Sequence, residues 1–325
     1  MTVHSRQLGL RHGAPIALFG PQRLAPALAP TFEELEIGEP IVSITAGWQE
    51  REGEIDELAA HLGRRVVDLE LMARWDRIAD EDPELFAAHR LRQDNLRRLR
   101  RLYQYRLDFV LEPARELMRR DGEEELLATA REDAIDAVRK LDDWHLEQVD
   151  AVHQRFRQRW RPRERPAVAR HRDELRAALD GAAAVAIAGG HVAVLVNRLR
   201  LFGLAELIAG RSIFAWSGGA MALAERIVLF HDQPPWGEGN PEVFDLGLGL
   251  FTGVVPLPQA RLRLRLDDPV RVALFARRFR PSVCVPLDER TSIRIDEQGD
   301  LRPGEESMRL DDDGEIRPLD AGSPR

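Results

Sequence analysis

A serine followed by two glycines stands between a run of bulky apolar residues and a run of small ones. Residues 213–216 predict a buried strand and residues 220–224 predict a helix, so Ser217 falls at the sharp turn between them. A serine at such a turn is lifted out of the sheet, and the helix behind it offers free N–H groups to a developing oxyanion. The pattern predicts nucleophilic attack by Ser217 on a carbonyl carbon, although a glycine-rich turn that only reverses the chain has the same pattern.

Two further predicted strands end in residues that could take part in this chemistry. Gly189-Gly190-His191 follows the apolar run 183–188, and His231-Asp232 follows the apolar run 226–230. The imidazole of His191 could serve as a base or bind a ligand carboxylate, but a lone loop histidine can equally be solvated. Asp232 could orient a base, or it could be a turn or cap carboxylate.

The order of the predicted elements indicates an α/β fold with a helical insertion. Strands alternate with helices up to residue 70 and again after residue 166, which favours a parallel sheet with helices on both faces. We therefore predict one α/β domain from residues 1–70 and 166–325. Residues 71–165 show no strand pattern, and their helical periodicity predicts an inserted antiparallel hairpin.

Local signals refine this outline. The hairpin is expected to consist of helices over 84–120 and 123–160, with a turn at Asp121-Gly122 and a kink at Pro113. Capping residues predict two helix ends: Gly63 closes one helix and Asp268 caps another. Composition predicts a Pro/Gly-rich loop over 233–240 and a frayed end over 318–325.

Composition limits the function classes. The chain has 325 residues, a net charge of −8 and a single cysteine, Cys284. We therefore expect no nucleic-acid partner, no disulfide within the chain, no metal site and no cofactor. An arginine-rich segment at 155–165 is interpreted as a solvated helix end. Because no run of about 18 apolar residues occurs, we expect a cytoplasmic protein that does not enter a membrane.

Three segments together resemble a known family: the Gly189-Gly190 loop, the Ser217 turn and the late segment Leu287-Asp288-Glu289-Arg290-Thr291. This combination resembles the serine peptidase family of dipeptidase E and cyanophycinase, over roughly residues 14–70 and 165–300. The resemblance implies a three-layer, flavodoxin-like or class I glutamine amidotransferase-like fold. It also implies that Ser217 is the nucleophile of a nucleophile elbow, with Asp232 or Glu289 as the orienting acid. The N–H groups of Gly190 and Gly218 would then form the oxyanion hole.

The chain departs from that family at two positions. Gln259 stands where the family has the histidine that acts as general base, and His191 stands where it has an asparagine. Because a glutamine amide cannot accept and return a proton near neutral pH, serine activation from position 259 is lost. His191 is a candidate substitute base or substrate-binding residue.

Two functions follow as hypotheses. The first is a serine-type hydrolase of small or acidic peptides, impaired by Gln259. The alternative is a catalytically inactive relative, or pseudoenzyme, that binds a small ligand in the same pocket. In that case the helical hairpin would dock a partner or a second copy. An amidotransferase-like activity is disfavoured because the elbow has no cysteine.

Overall fold

The computed structural model of the chain describes residues 9–10, 12–23, 26–232 and 239–320. Its strands, in chain order, are β1 (Gly9–Leu10), β2 (Ile16–Phe19), β3 (Ile41–Ile44), β4 (Val66–Asp68), β5 (Ala184–Ile187), β6 (Ile213–Trp216), β7 (Arg226–Leu229), β8 (Glu242–Leu246), β9 (Phe251–Thr252), β10 (Val254–Pro258), β11 (Val283–Leu287), β12 (Ser292–Ile295), β13 (Leu301–Pro303), β14 (Met308–Leu310) and β15 (Ile316–Pro318). Most of the predicted loop 233–240 and the last five residues of the predicted frayed end lie outside the described range.

The helices cover a larger share of the chain. In chain order they are α1 (Leu28–Glu34), α2 (Asp56–Leu62), α3 (Leu71–Glu81), α4 (Pro83–Arg119), α5 (Glu124–Trp160), α6 (Pro166–Asp180), α7 (Val192–Phe202), α8 (Leu204–Leu207), α9 (Gly218–Leu223), α10 (Ala260–Arg263) and α11 (Pro269–Phe279). Short 3-10 helices occur at Ala46–Arg51 and Pro162–Glu164.

A seven-stranded sheet, in the order β13-β12-β2-β6-β5-β3-β4, forms the centre of the molecule. The five strands from β2 to β4 are parallel, and β12 and β13 extend one edge in antiparallel fashion. Alternate side chains of the central strands enter two separate apolar clusters, one packed on α1 and α2 and the other on the remaining helices. The predicted three-layer α/β fold is therefore confirmed.

Smaller sheets lie beside the central one. Strands β10 and β11 run parallel to each other in a four-stranded sheet with β14 and β15, and β7 pairs with β8. Gln259 follows β10 directly and Asp288 follows β11 directly, so these two residues meet at the same end of that pair. This arrangement matters for the site because α9, which follows Ser217, packs on β10.

The predicted long helices are present as α4 and α5, each 37 residues long, and they pack against each other as a hairpin. Helix α4 continues through Pro113. The separate helix α3, which precedes the hairpin, was not predicted from the sequence. Gly63 ends α2 in the left-handed conformation and the Asp268 side chain caps α11, as predicted.

A buried polar cluster joins the hairpin to the α/β body. Arg278 of α11 donates two hydrogen bonds of 2.7 Å to the carboxylate of Asp142 in α5, and one of 2.9 Å to the hydroxyl of Tyr103 in α4. All three side chains are buried. Burial, the largest cause, and Asp142 raise the pKa of Tyr103 against the opposing charge of Arg278, so the phenol stays protonated and donates to Asp142. The hairpin is thus packed firmly on the body, whereas the division of the chain into domains stays a prediction.

Candidate active site

Ser217 lies at the end of β6 with a backbone conformation that serine rarely adopts. Its φ and ψ are 51° and −122°, and α9 begins at the next residue. The serine N–H donates to the carbonyl of Phe19 in the neighbouring strand β2, at 3.1 Å, which holds the turn on the sheet. A strained strand-to-helix turn of this kind is what a nucleophile elbow requires, and the elbow predicted at Ser217 stays a prediction.

Glycines allow three loops to meet at this edge of the sheet. A Cβ atom on Gly189 would stand 2.7 Å from the Cβ of Ser217, and one on Gly190 would stand 2.3 Å from the carbonyl oxygen of Gly47. A Cβ on Gly218 would lie 3.0 Å from the carbonyl oxygen of Gly190. The loops after β3, β5 and β6 therefore touch through their main chains. The oxyanion hole predicted from Gly190 and Gly218 stays a prediction, and the structure places these two residues in contact.

His191 directly precedes α7 and lies on the same edge of the sheet. Its N–H donates to the carbonyl of Gly47 at 2.7 Å, and its Nδ1 accepts a 3.4 Å hydrogen bond from the N–H of Val194. The side chain is exposed. His191 therefore acts as the cap of α7. Within the described residues, no side chain hydrogen-bonds to the hydroxyl of Ser217. The role of His191 as substitute base or ligand-binding residue stays a prediction.

Gln259 is held by an arginine that the sequence analysis did not single out. Its Oε1 accepts hydrogen bonds from Nε and a terminal nitrogen of Arg263, at 3.1 and 2.8 Å. Its N–H donates to the carbonyl of Leu287 at 3.0 Å, which ties the end of β10 to β11. Burial lowers the pKa of Arg263, but the group remains charged at neutral pH. Position 259, where the resemblance predicts the general base, therefore holds a neutral amide in contact with a cation.

Asp232 is almost completely buried, and its carboxylate is fully engaged. The guanidinium of Arg271 donates to both of its oxygens, and the N–H of Arg265 donates to one of them at 3.1 Å. The N–H of Asp232 donates to the carbonyl of Arg263 at 2.7 Å. These contacts fix the loop between α10 and α11. The role of Asp232 as a site acid stays a prediction.

In the segment after β11, the carboxylate that faces inward belongs to Asp288, whereas the sequence analysis singled out Glu289. Glu289 is exposed, whereas the neighbouring Asp288 is half-buried and accepts a 3.0 Å hydrogen bond from the N–H of Arg261, two residues beyond Gln259. Burial raises the pKa of Asp288. A Cβ on Gly20, the residue after β2, would stand 1.7 Å from the carbonyl oxygen of Asp288. Asp288 therefore links the end of β2 to the Gln259 turn. Side chains alternate along a strand, so the sequence could have shown that Asp288 faces inward if the end of β11 had been known.

The described residues contain no group of three or more His, Cys, Asp and Glu side chains that could hold a metal ion. They also contain no helix with the length and apolar character needed to cross a membrane. The thiol of Cys284 is buried, and burial raises its pKa.

No protein-family model matches the chain, and no curated protein matches it in sequence. Among solved structures, it is similar to a peptidase from an acI-B1 Actinobacterium, with a TM-score of 0.45 and 14% identity over 96% of this chain and 99% of that one. It is also similar to a putative peptidase E protein from Listeria monocytogenes EGD-e, with a TM-score of 0.40 and 12% identity over 94% and 99% of the two chains.

Proposed function

We propose that the protein is a serine-type hydrolase-like protein that binds a peptide carbonyl at Ser217 and acylates slowly. The observation that carries the proposal is the strained turn of Ser217, pressed against the Gly189-Gly190 loop. In the first step the serine oxygen would attack the carbonyl carbon, and the oxyanion would accept hydrogen bonds from the N–H groups of Gly218 and Gly190. The hydroxyl proton passes to a solvent water, because the amide at position 259 cannot take it, and the leaving amine takes a proton from solvent as the C–N bond breaks.

The expected rate of peptide hydrolysis follows from the catalytic groups that remain when the general base is missing. Removing the histidine base of a serine triad lowers kcat by about 10⁶-fold, while the oxyanion hole and binding alone retain a rate about 10³ to 10⁴ above water. We therefore expect stoichiometric acylation of Ser217 by a reactive probe and little turnover of peptides. The positive charge of Arg263 beside Gln259 favours small or acidic peptides over basic ones.

A fluorophosphonate probe tests this proposal. The wild-type chain should be labelled slowly and the S217A variant should not be labelled. Q259H should be labelled faster, and Q259H/R263Q faster still, because Arg263 lies where it would lower the pKa of the new imidazole and weaken it as a base. If a well-folded wild-type chain is not labelled between neutral and mildly alkaline pH, the nucleophile proposal is wrong.

A second candidate, a binding protein without catalysis, is favoured because three of the candidate site residues already have hydrogen-bond partners within the protein. Gln259 is held by Arg263, Asp232 by Arg271, and His191 caps a helix. In this case Q259H/R263Q would gain labelling that the wild type lacks. Docking through the hairpin would use its large exposed apolar side chains, Leu91, Leu102, Tyr105, Phe109 and Leu126. Light scattering of the wild type and of L102E/F109E would test self-association through this surface.

A further inference from the structure

A cavity lies away from the serine, where the C-terminal part of α5 meets the C-terminal end of α7. Its volume is 450 Å³, within the range of about 300 to 1,000 Å³ that is common for small-molecule sites. Helix α7 begins after His191 and reaches the cavity at Arg200, nine residues later, which corresponds to about 14 Å of helix. None of the candidate active-site residues lines this cavity.

Positive charge dominates the wall of the cavity. Five arginines line it, and Glu164 is the carboxylate in the same lining. Four of the five have a carboxylate within 4 Å, in the pairs Arg200–Asp245, Arg161–Glu164, Arg163–Glu206 and Arg157–Asp150. The fifth, Arg92 of α4, has no carboxylate partner in the described part of the chain.

Arg92 is buried, with 7% of its surface exposed. One terminal nitrogen donates to the Oδ1 of Asn197 at 3.0 Å, and the guanidinium lies 4.3 Å from the ring centre of Phe156. Its Nε has no hydrogen-bond partner within the described residues, and neither does the Nδ1 of His153, which lines the same cavity. Both atoms are enclosed polar atoms that the described part of the protein leaves without a hydrogen bond.

The charge of Arg92 is destabilised in the ligand-free protein. Burial, followed by the charges of Arg200, Arg198 and Arg157, lowers the pKa of Arg92 to about 9, although the charge of Asp245, which is paired with Arg200, acts in the opposite direction. A buried charge without a counter-ion is strongly destabilising, because the interior does not replace its hydration. A ligand that carried negative charge would supply the counter-charge that the Arg92 guanidinium lacks within 4 Å in the described part of the chain. A guanidinium fork matches the two oxygens of a phosphate or a carboxylate.

The rest of the lining describes the body of such a ligand. Phe156, Leu201, Leu248 and Pro162 form an apolar wall beside the arginines. We propose that this cavity binds a small organic anion whose phosphate or carboxylate group pairs with Arg92 and whose body lies against this apolar wall. The site is independent of the chemistry proposed for Ser217.

Binding to the full-length protein by four probes tests the proposal: inorganic pyrophosphate, adenosine monophosphate, citrate and neutral adenosine. Calorimetric titration at low salt should detect at least one of the three anions, and adenosine should not bind. Pyrophosphate or adenosine monophosphate as the preferred anion identifies a phosphate ligand, and citrate identifies a carboxylate ligand. The proposal is overturned if no anion binds at millimolar concentration, or if adenosine binds as well as adenosine monophosphate.

Variants locate the site. R92M should weaken anion binding at least about tenfold, the loss expected for a charge-assisted hydrogen bond. R97M is the matched control, because Arg97 lies on the same helix, is 70% exposed and pairs with Asp94 outside the cavity. Equal weakening by both variants would overturn the proposal. If R92M does not fold, R157Q at the exposed rim should still weaken binding a few-fold, and unchanged affinity in R157Q would count against the site.

Discussion

The backbone of Ser217 gives a prediction that separates strain from the loss of a hydroxyl. At a φ of 51° and a ψ of −122°, a residue with a Cβ atom is strained by about 1–3 kcal/mol, whereas glycine is not. Glycine also loses about 0.5–1 kcal/mol more conformational entropy on folding than alanine. The S217G variant should therefore be more stable than the wild type by about 1 kcal/mol.

S217A is the matched control, because alanine keeps the Cβ atom and so keeps the strain. The Ser217 hydroxyl has no hydrogen-bond partner among the described residues, so S217A should match the wild type within about 0.5 kcal/mol. In a chain of 325 residues, 1 kcal/mol corresponds to a rise in the melting temperature of only about 1.5 °C. Urea titration followed by tryptophan fluorescence resolves such a difference better than heating does.

Both variants should lose fluorophosphonate labelling. If S217G is no more stable than S217A, then the turn at Ser217 stores no strain, and the assignment of a nucleophile elbow loses its physical basis. A gain of stability in S217A equal to that in S217G would also refute the reasoning, because only glycine removes the Cβ atom.

Three further predictions concern the surroundings of the site and the packing of the hairpin. R278M should destabilise the fold by about 3–5 kcal/mol in urea titration by leaving the Asp142 carboxylate buried without its cation, and R278M/D142L should be about 2 kcal/mol more stable than R278M. G189A should abolish labelling and lower the unfolding midpoint, since its methyl would stand 2.7 Å from the Cβ of Ser217. G181A, with open space and a negative φ, should behave as wild type. The imidazole of His89 is neutral in the fold, because burial, Arg92, Arg198 and His153 lower its pKa from 6.5 to about 2. The unfolded chain therefore binds one more proton below pH 6.5, stability falls as the pH is lowered, and H89Q should lose about 2 kcal/mol less than the wild type between pH 7 and pH 5.

Local rules accounted for much of the fold. The two long helices follow from apolar residues at helical spacing and from the turn at Asp121-Gly122, and their predicted ends agree with the structure within one residue. Gly63 and Asp268 were predicted as caps because capping depends on one residue and its nearest neighbours in the chain. Helix α3 was missed because it is a short segment next to a much longer periodic pattern.

The site was less accessible to sequence reasoning, since its charges are compensated across long distances in the chain. Asp232 pairs with Arg271, 39 residues later, and no spacing rule predicts such a partner. Arg263 lies four residues from Gln259, yet their contact depends on the left-handed conformation of Gln259. The choice between Asp288 and Glu289 depends on which side chain faces inward where β11 ends. The isolated charge of Arg92 is visible only when α4, α5 and α7 are assembled.

The close packing of the loops at Ser217 means that some positions of the site tolerate only glycine, whereas others can be substituted. A Cβ atom on Gly47 or Gly190 would collide with main-chain atoms, and one on Gly189 would collide with the Cβ atom of Ser217, so no side-chain rotation can relieve these contacts. Gln259 and Arg263 are half-buried side chains on a turn that the backbone holds by itself. New activities should therefore be sought in libraries varied at 259 and 263 with the glycines kept, because the scaffold and the proton-transfer chemistry are encoded by separate residues.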